Sequence, residues 1–544
     1  MLCPVEGVFQ LANADLVFTL ISCVLFMALV GGVSYWKTRG SVQTREGYFL
    51  AGRGLSGVFI AGSLLLTNLS AEQLIGLNGS AYGFNMTAMA WEVTAGFAII
   101  VMALVFLPRY LGGAFSTLPQ FLADRFDDGV RRLTVVLFLL GYGLITIPSI
   151  LYSGSLAVLR LFDVPGVFGI GFEASLIGTI FVIGVIGGIY AVFGGLKAVA
   201  VSDTLNGVGL LIVGAMVPLF GLAALGDGDV AAGWRVVSTE ETHKLNAVGG
   251  PDDPVPFATL FTGMILANLF YWGTNQYVIQ RTLGAASLAE GQKGVLLSGF
   301  FKLLVPFFMM LPGVIAFHLY GSDLQHIDLA YPTLVADVLP VYLSGFFLAV
   351  LLGAVFSSFN SLLNSAATLF CLDIYQPMFK PQATDAQLIR TAKIVSLVIA
   401  LFSFVAAPAL QYAPDGLWQV IRVFTGFYNI PVITLVLVGL FTRRVPALAA
   451  KVAVGFHLVA YGLLQFVLEV PLSFIHIYAI LFLIEVAIML VIGRLLPRSE
   501  PWSYTPRPGV VDMTPWRGAV PVSLLLVASI VLTYVVFSPW GLAA

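Results

Sequence analysis

Long apolar runs, separated by short polar or proline- and glycine-rich breaks, follow one another along almost the whole chain. Because a helix needs about 20 apolar residues to cross a bilayer, each run predicts one transmembrane helix. The fourteen predicted spans are 15–36, 53–81, 85–108, 133–160, 173–193, 197–226, 257–282, 293–320, 333–373, 388–409, 414–442, 447–468, 472–496 and 518–539. The pattern therefore predicts an all-α integral membrane protein of about 14 transmembrane helices, with residues 1–544 forming a single domain.

Composition strengthens this interpretation and excludes several function classes. Of the 544 residues, 59% are hydrophobic and 10% are charged, and the mean hydropathy is +0.97. Soluble domains average about 45–50% apolar and roughly 25% charged residues, so the expected surroundings are a lipid bilayer. A net charge of −2 indicates no nucleic-acid partner. The few cysteines and histidines form neither a disulfide framework nor a zinc motif. We expect neither an enzyme nor an obligatory protein partner.

The basic residues predict how the helices are oriented. Of the 26 Lys and Arg residues, 21 fall in segments that the fourteen spans place on one face, and only Arg160, Arg235 and Lys244 fall on the other. Cytoplasmic loops carry the excess of Lys and Arg, so both termini are predicted to lie outside a multi-pass cell membrane. The residues before the first apolar run include Glu6 and Asp15 but no Lys or Arg, which argues against a signal peptide.

The second span is unusually polar. Its sequence SLLLTNLSAEQLIGLNGSAYG includes Asn68, Ser70, Glu72 and Gln73 in a segment that must cross lipid. The polar residues favour an unwound helix whose freed carbonyls and side chains line a wet cavity. The alternative is a regular helix that packs inside the bundle through small and polar residues.

Three ionisable residues also lie within apolar runs, where they are expensive and mark a pathway or a site. Lys302 is too deep to reach water easily and needs an anion, for which Glu92 is the candidate. Arg422 lies nearer the outer edge and could reach interfacial water. If Glu92 is the one carboxylate at this depth, a positive charge remains and favours an anionic sugar, unless Glu72 or a lipid phosphate neutralises it.

Two further segments combine residues suited to ligands. The segment ILANLFYWGTNQYVIQ (265–280) mixes amides with aromatic rings, which suits hydrogen bonding and stacking with a polyhydroxylated ring. The segment GAVFSSFNSLLNSAAT (353–368) offers hydroxyls and carbonyls, which suit a weakly bound monovalent cation better than Ca²⁺ or Zn²⁺. Ordinary helix packing explains either segment as well.

Taken together, these segments resemble the sodium/solute symporter family, and within it the sodium/sugar (glucose and galactose) cotransporter branch. The resemblance is carried by REGYFLAGR (45–53), NLSAEQLIG (68–76), AWE (90–92), ANLFYWGTNQYVIQRTL (267–283), AEGQKG (289–294), FKLLVPF (301–307), SSFNSLLNSAAT (357–368) and FTGFYNIP (424–431). It implies two five-helix inverted repeats with broken first helices, at 53–226 and 257–442, and three additional helices at 447–539. This is the fold of amino-acid/sodium symporters.

The resemblance also implies site residues. The sugar contacts that it implies are Gln73, Glu92, Asn268, Tyr271 and Lys302, with Trp418 in place of another aromatic and Arg422 in place of a glutamine. Tyr271 would be the inner gate under the sugar ring. The implied sodium ligands are the carbonyls of Leu66, Leu69 and Ala354 and the hydroxyls of Ser357 and Ser358. Asp203 would lie on the sodium exit route, or would be a solvated aspartate near a helix start. Ala95 replaces a serine of galactose-transporting relatives.

The expected function is therefore sodium-coupled import of a hexose or related sugar derivative by alternating access. The alternatives are a sodium symporter of another small solute, such as a sugar acid, a monocarboxylate or choline, and a transporter-like membrane sensor without flux.

Overall fold

The computed structural model describes residues 13–40, 43–162, 164–324, 326–412, 417–468 and 470–544. All regular secondary structure in these ranges is helical, apart from two isolated bridges, Leu55 with Ala285 and Ser287 with Asp512. The all-α prediction is therefore confirmed.

Fourteen helical elements follow the predicted spans in order. They are α1 Asn13–Thr38, α2 Gly57–Asn68 with Ala71–Gly83, α3 Met86–Gly112, α4 Asp128–Leu159, α5 Phe172–Gly188, α6 Gly195–Leu225, α7 Gly263–Gly273 with Gln276–Leu283, α8 Leu288–Lys302 with Val305–Tyr320, α9 Val341–Phe379, α10 Asp385–Tyr412, α11 Leu417–Phe441, α12 Ala447–Phe466, α13 Phe474–Leu495 and α14 Ala519–Val536. Shorter helices at Arg45–Leu50, Leu118–Arg125, Val230–Thr239 and Ala330–Val338 lie between them.

Not every element has the length and hydropathy of a membrane span. Within the described ranges, ten helices meet both criteria, and two bent pairs raise the number to twelve. The pairs are α2, bent by 57°, and α8, bent by 47°. The helix α5 is too short, and α7 is interrupted at Thr274 and Asn275. These exceptions are the places where the sequence mixes polar residues or glycine into the apolar runs.

The breaks have local backbone causes. In α2, Leu69 has φ −86° and ψ 84°, and Ser70 is extended, so the helix stops and restarts. Between α5 and α6, Gly195 has φ 59°, a conformation that glycine adopts without a Cβ clash. Polar residues at such breaks can replace the lost backbone hydrogen bonds inside the protein.

The helix α9 forms the core, and α1 lies at the periphery. In the apolar stretch of α9 that could cross the membrane, 89% is buried inside the protein. The corresponding share in α1 is 17%. Glycines allow α6 to approach its neighbours closely: a Cβ on Gly62 of α2 would lie 2.6 Å from the Thr204 hydroxyl, and one on Gly353 of α9 would lie 2.7 Å from Asn206. This close packing brings α9 and α6 against the first half of α2.

Candidate substrate and sodium site

A polar cavity lies in the middle of the bundle, where the breaks of α2 and α7 meet α3, α8, α9 and α11. Of the predicted substrate residues, those with described side chains all line it: Gln73, Glu92, Asn268, Tyr271, Lys302 and Arg422. The side chain of Trp418 lies outside the described part of the chain. Motifs that are far apart in the chain therefore meet at one cavity, and the part of these residues in substrate binding stays a prediction.

A buried ion pair forms one wall of the cavity. The Lys302 ammonium contacts the Glu92 carboxylate, and Gln73 Nε2 donates a hydrogen bond to Glu92 Oε1 at 3.0 Å. Each of these residues is at most 4% exposed. The predicted pairing of Lys302 with Glu92 is present, and both charges are compensated inside the protein. Breaking such a pair is strongly destabilising, because it leaves a buried charge alone.

The segment from α7 contributes both amide and aromatic groups. Asn268 Nδ2 donates to the Thr94 hydroxyl at 3.0 Å, which fixes the amide against α3. The Tyr277 hydroxyl donates to the Tyr271 hydroxyl at 2.9 Å, and the two rings are nearly perpendicular, at 87°. Trp272 lies against Tyr271 with an interplanar angle of 66°. The aromatic groups therefore form a braced wall.

Arg422, near the start of α11, is half-buried and faces the cavity, and its position near the outer edge of the membrane stays a prediction. Its guanidinium lies 4.6 Å from the ring centroid of Trp91 and lines the same cavity as Glu72. The expectation of a leftover positive charge is therefore wrong for this cavity, since two carboxylates, Glu72 and Glu92, face two cations, Lys302 and Arg422. Among the lining residues that the structure describes, the formal charges sum to zero. Glu72, which the sequence left as an alternative neutralising group, lines the cavity together with Arg422.

The break in α2 frees backbone oxygens opposite the hydroxyls of α9. In an unbroken helix the Leu66 and Leu69 carbonyls would accept from the N–H groups of Ser70 and Gln73. Those groups donate instead to the carbonyls of Asn68 and Ser70, both at 3.1 Å.

The hydroxyls of α9 face this break. The Ser358 hydroxyl donates to the freed Leu66 carbonyl at 3.4 Å, and the Ser357 hydroxyl lies near the Asp203 carboxylate without a hydrogen bond of normal length. Ala354 is fully buried one turn earlier on α9. Uncharged carbonyl and hydroxyl oxygens suit a weakly held hard cation such as sodium. The residues proposed as sodium ligands thus include unsatisfied oxygens on two helices that face each other.

Asp203 is fully buried on α6 and accepts a hydrogen bond from the Ser63 hydroxyl at 2.6 Å. A solvated aspartate would be exposed, so that alternative is wrong. Its role in sodium exit stays a prediction.

One cation lies deeper than its sequence position predicts. The pattern of basic residues puts Arg281 in an inner segment, yet it is 1% exposed in the second half of α7. Its Nε donates to the Ser63 hydroxyl at 2.8 Å, and its Nη2 donates to the Ser361 hydroxyl at 2.7 Å. The available signal was the position of Arg281 before Leu283, still inside a helix that continues from a polar, membrane-embedded segment.

Comparison with known proteins identifies the family. The model of the sodium:solute symporter family matches residues 48–454. The chain belongs to the sodium:solute symporter family. It is a multi-pass membrane protein and a sodium-coupled symporter of a small solute.

Individual members of the family match most of the chain. It is 44% identical to the uncharacterized symporter YidK of Escherichia coli K12, over 96% of this chain and 91% of YidK. It is 32% identical to the sodium/glucose cotransporter of Vibrio parahaemolyticus, over 84% of this chain and 87% of that protein. The structure of a Na⁺-coupled sialic acid symporter in a substrate-bound outward-open state matches with a TM-score of 0.77 and 20% identity, over 89% of this chain and 99% of that chain. That likeness supports the fold.

Proposed function

We propose that this symporter imports a neutral sugar, a hexose or a related polyhydroxylated derivative, together with sodium. The observation that carries the proposal is a set of buried oxygen atoms that line the cavity without a hydrogen-bond partner among the described residues. These atoms are Gln73 Oε1 and Asn429 Oδ1, together with Asn68 Oδ1, whose side chain lies near the Tyr271 hydroxyl, and Ser70 Oγ and Glu72 Oε2, whose side chains lie near each other. Buried polar atoms are normally satisfied. A ligand for this cavity should therefore supply several donors, as sugar hydroxyls do.

Aromatic surfaces and the charge of the lining support the same class of substrate. Trp91, Tyr271 and Trp272 line the cavity beside these acceptors and offer faces for the C–H groups of a sugar ring. The formal charges of the lining cancel, which disfavours a sugar acid or a monocarboxylate. Choline carries a single hydroxyl and could satisfy few of the open acceptors. The Vibrio relative is named a sodium/glucose cotransporter, which agrees with a hexose.

The proposed cation site explains how sodium would be coupled to the sugar. Sodium held by the Leu66, Leu69 and Ala354 carbonyls and the Ser357 and Ser358 hydroxyls would join the break of α2 to α9. Gln73 lies one turn beyond this break and lines the cavity, so ordering the break would also order a sugar contact. By linkage, sugar must then raise the affinity for sodium by the same factor. The membrane potential adds about 2.3 kcal/mol per charge per 100 mV, enough for more than a tenfold accumulation.

We place the protein in the cell membrane with both termini outside, because this orientation puts the basic segments in the cytoplasm. The two inverted repeats, 53–226 and 257–442, would then rock around the cavity between outward-open and inward-open states. The helices at 447–539 lie outside this core. The helix α13 packs on α11, where the Tyr478 hydroxyl donates to the Arg422 carbonyl at 2.7 Å, and α14 packs on α3 and α8.

A transport assay tests the substrate. Purified protein in liposomes should accumulate a labelled neutral hexose under an inward sodium gradient, and potassium should not replace sodium. A panel of glucose, galactose, a uronic acid, a monocarboxylate and choline should show competition by neutral sugars. Sodium-driven uptake of the acid, the monocarboxylate or choline with no competition by sugars would overturn the sugar proposal. Absence of flux for the whole panel, with binding retained, would favour a sensor.

Arg422 allows a sharper test of the charge argument. If Arg422 balances Glu72, Arg422→Gln leaves an excess negative charge, so acidic sugars should compete even less well than in wild type. If instead Arg422 receives an anion, acidic sugars should compete in wild type and lose that ability in Arg422→Gln. The measurement is the ratio of the inhibition constants of a uronic acid and the matching hexose, at fixed membrane potential.

A further inference from the structure

A further buried cation, Arg281, has no part in the proposed sugar contacts. Its guanidinium is inserted between α2 and α9 by hydrogen bonds to Ser63 on α2 and Ser361 on α9. The Ser63 hydroxyl in turn donates to Asp203 on α6 at 2.6 Å. Asp203, Ser63, Arg281 and Ser361 thus form one chain of buried polar groups across four helices. All of them are at most 1% exposed.

This chain lies next to the proposed sodium ligands. Ser63 precedes Leu66 by three positions on α2, and Ser361 follows Ser358 by three positions on α9. At 1.5 Å per residue, each is displaced by about 5 Å, one helical turn. The Thr67 hydroxyl, beside Leu66, lies 3.4 Å from the Ser361 hydroxyl, which joins the two groups of residues.

On each of the four helices, the residue of this chain lies toward the same face of the membrane. Ser63 is nearer the start of α2, Ser361 is nearer the end of α9, Arg281 is near the end of α7, and Asp203 is near the start of α6. These are the ends that the basic residues predict to be cytoplasmic. The guanidinium therefore lies between the proposed sodium site and the cytoplasmic face.

We infer that Arg281 sets the sodium affinity of the transporter, as a tethered positive charge that disfavours sodium and promotes its release toward the cytoplasm. This rests on the proposed sodium site. A fixed guanidinium one helical turn from a bound sodium ion repels it through a medium of low polarity. Asp203 opposes that repulsion and keeps the guanidinium in place through Ser63. Arg281 acts through the ion's surroundings and is a positioning residue rather than a ligand.

The test separates the effect of the Arg281 charge from the effect of its shape. It measures the binding of ²²Na⁺ to the purified protein by scintillation proximity, which does not depend on transport. Arg281→Gln removes the charge, and we expect sodium to bind about tenfold more tightly. Arg281→Lys keeps the charge but loses the forked hydrogen bonding, and we expect an affinity within about twofold of wild type. Asp203→Asn keeps the guanidinium without its counter-charge, and sodium should bind more weakly.

The same variants predict a particular effect on transport. In liposomes, Arg281→Gln should lower both the sodium concentration at half-maximal uptake and the maximal rate, because release becomes slow. A purely structural role would lower the rate of Arg281→Lys and Arg281→Gln alike and would not tighten sodium binding.

A double variant keeps the inference testable if Arg281→Gln alone does not fold, since that variant leaves Asp203 buried without its cation. Asp203→Asn with Arg281→Gln should bind sodium more tightly than Asp203→Asn alone. Equal or weaker sodium binding on removal of the Arg281 charge, in either background, would overturn the inference. Absence of any sodium binding by the wild-type protein would instead refute the proposed sodium site. Thermal unfolding and size-exclusion profiles establish that each variant compared is folded.

Discussion

The breaks of α2 and α7, the first helices of the two proposed repeats, are satisfied in different ways. At the break of α2, the Leu66 and Leu69 carbonyls lose their helical donors, and Ser70 Oγ has no partner among the described residues. At the break of α7, protein groups supply the donors. The Tyr142 hydroxyl donates to Asn275 Oδ1 at 2.5 Å, and the Leu118 backbone N–H donates to Gln276 Oε1 at 2.9 Å.

This difference indicates a division of labour between the repeats. The open oxygens at α2 are suited to ligands that arrive and leave, namely a cation and a donor-rich solute. The α7 break is held by α4, which contributes Tyr142 from a π-helical turn, Tyr142–Thr146. Its neighbours Tyr271 and Tyr277 are thereby braced as a wall of the cavity. Breaking each kind of contact should therefore have different consequences for binding and for stability.

The largest effect should follow from Lys302→Ala. The Glu92 carboxylate would remain buried without its cation, and losing one partner of a buried pair costs about 3–5 kcal/mol. We expect a lower unfolding temperature and loss of transport. The matched control is Glu92→Gln with Lys302→Ala, which removes both charges and should recover stability but not transport. If the double variant unfolds at the same temperature as Lys302→Ala, the two residues are not energetically paired.

The next effect concerns the braced wall. Tyr271→Ala should abolish sugar accumulation while leaving the protein folded, because stacking is worth only about 1 kcal/mol to a bundle of this size. Tyr271→Phe keeps the ring and loses the acceptor of the Tyr277 hydroxyl, so it should retain most uptake. Uptake in liposomes and the unfolding temperature together measure this difference. Wild-type accumulation by Tyr271→Ala would assign this residue to packing alone.

Removing an oxygen from the α2 side should act mainly on sodium. Ser358→Ala takes away the hydroxyl that meets the Leu66 carbonyl, and we expect the sodium concentration for half-maximal uptake to rise about tenfold. Losing one hydrogen-bonding group of a charged ligand costs about 1.5–3 kcal/mol. Sugar affinity at saturating sodium should change much less. Ser344→Ala, which removes a fully buried hydroxyl near the start of the same helix, is the control and should behave as wild type. An unchanged sodium dependence in Ser358→Ala would argue against this ligand.

The sequence predicted much of this arrangement because lipid leaves so few alternatives for polar groups. Polar residues such as Gln73 and Glu92 inside apolar runs had to face the bundle interior, and the structure places them in one cavity. Whether Arg422 shares that cavity with Glu72 was left open, because its surroundings depend on how α11 packs among its neighbours, which span lengths do not reveal.

Arg281 was missed for a related reason. A cation near the end of a span could equally extend to the cytoplasm, and only packing against Ser63 and Ser361 decides that it turns inward. The partner of Asn275, Tyr142, was equally hidden, since its apolar surroundings in α4 give no sign of the hydrogen bond.

The smallest effect should come from the α7 break itself. Tyr142→Phe keeps the ring that meets Tyr277 edge-on but removes the hydroxyl that donates to Asn275 and accepts from the Tyr277 backbone N–H. A lost hydrogen bond that leaves a buried acceptor unsatisfied costs about 1–3 kcal/mol, so the unfolding temperature should fall modestly. Asn275, the acceptor that loses its donor, belongs to the wall rather than to the ligand sites. The sodium concentration for half-maximal uptake should therefore stay within about twofold of wild type. The matched variant Asn275→Ala removes the acceptor as well, and adding Tyr142→Phe to it should lower the stability by less than Tyr142→Phe does in wild type, since the bond to the Tyr277 N–H is then the one that is lost. A large rise in the sodium half-saturation of Tyr142→Phe would mean that the α7 break takes part in ion binding, and the division of labour between the two breaks would fail.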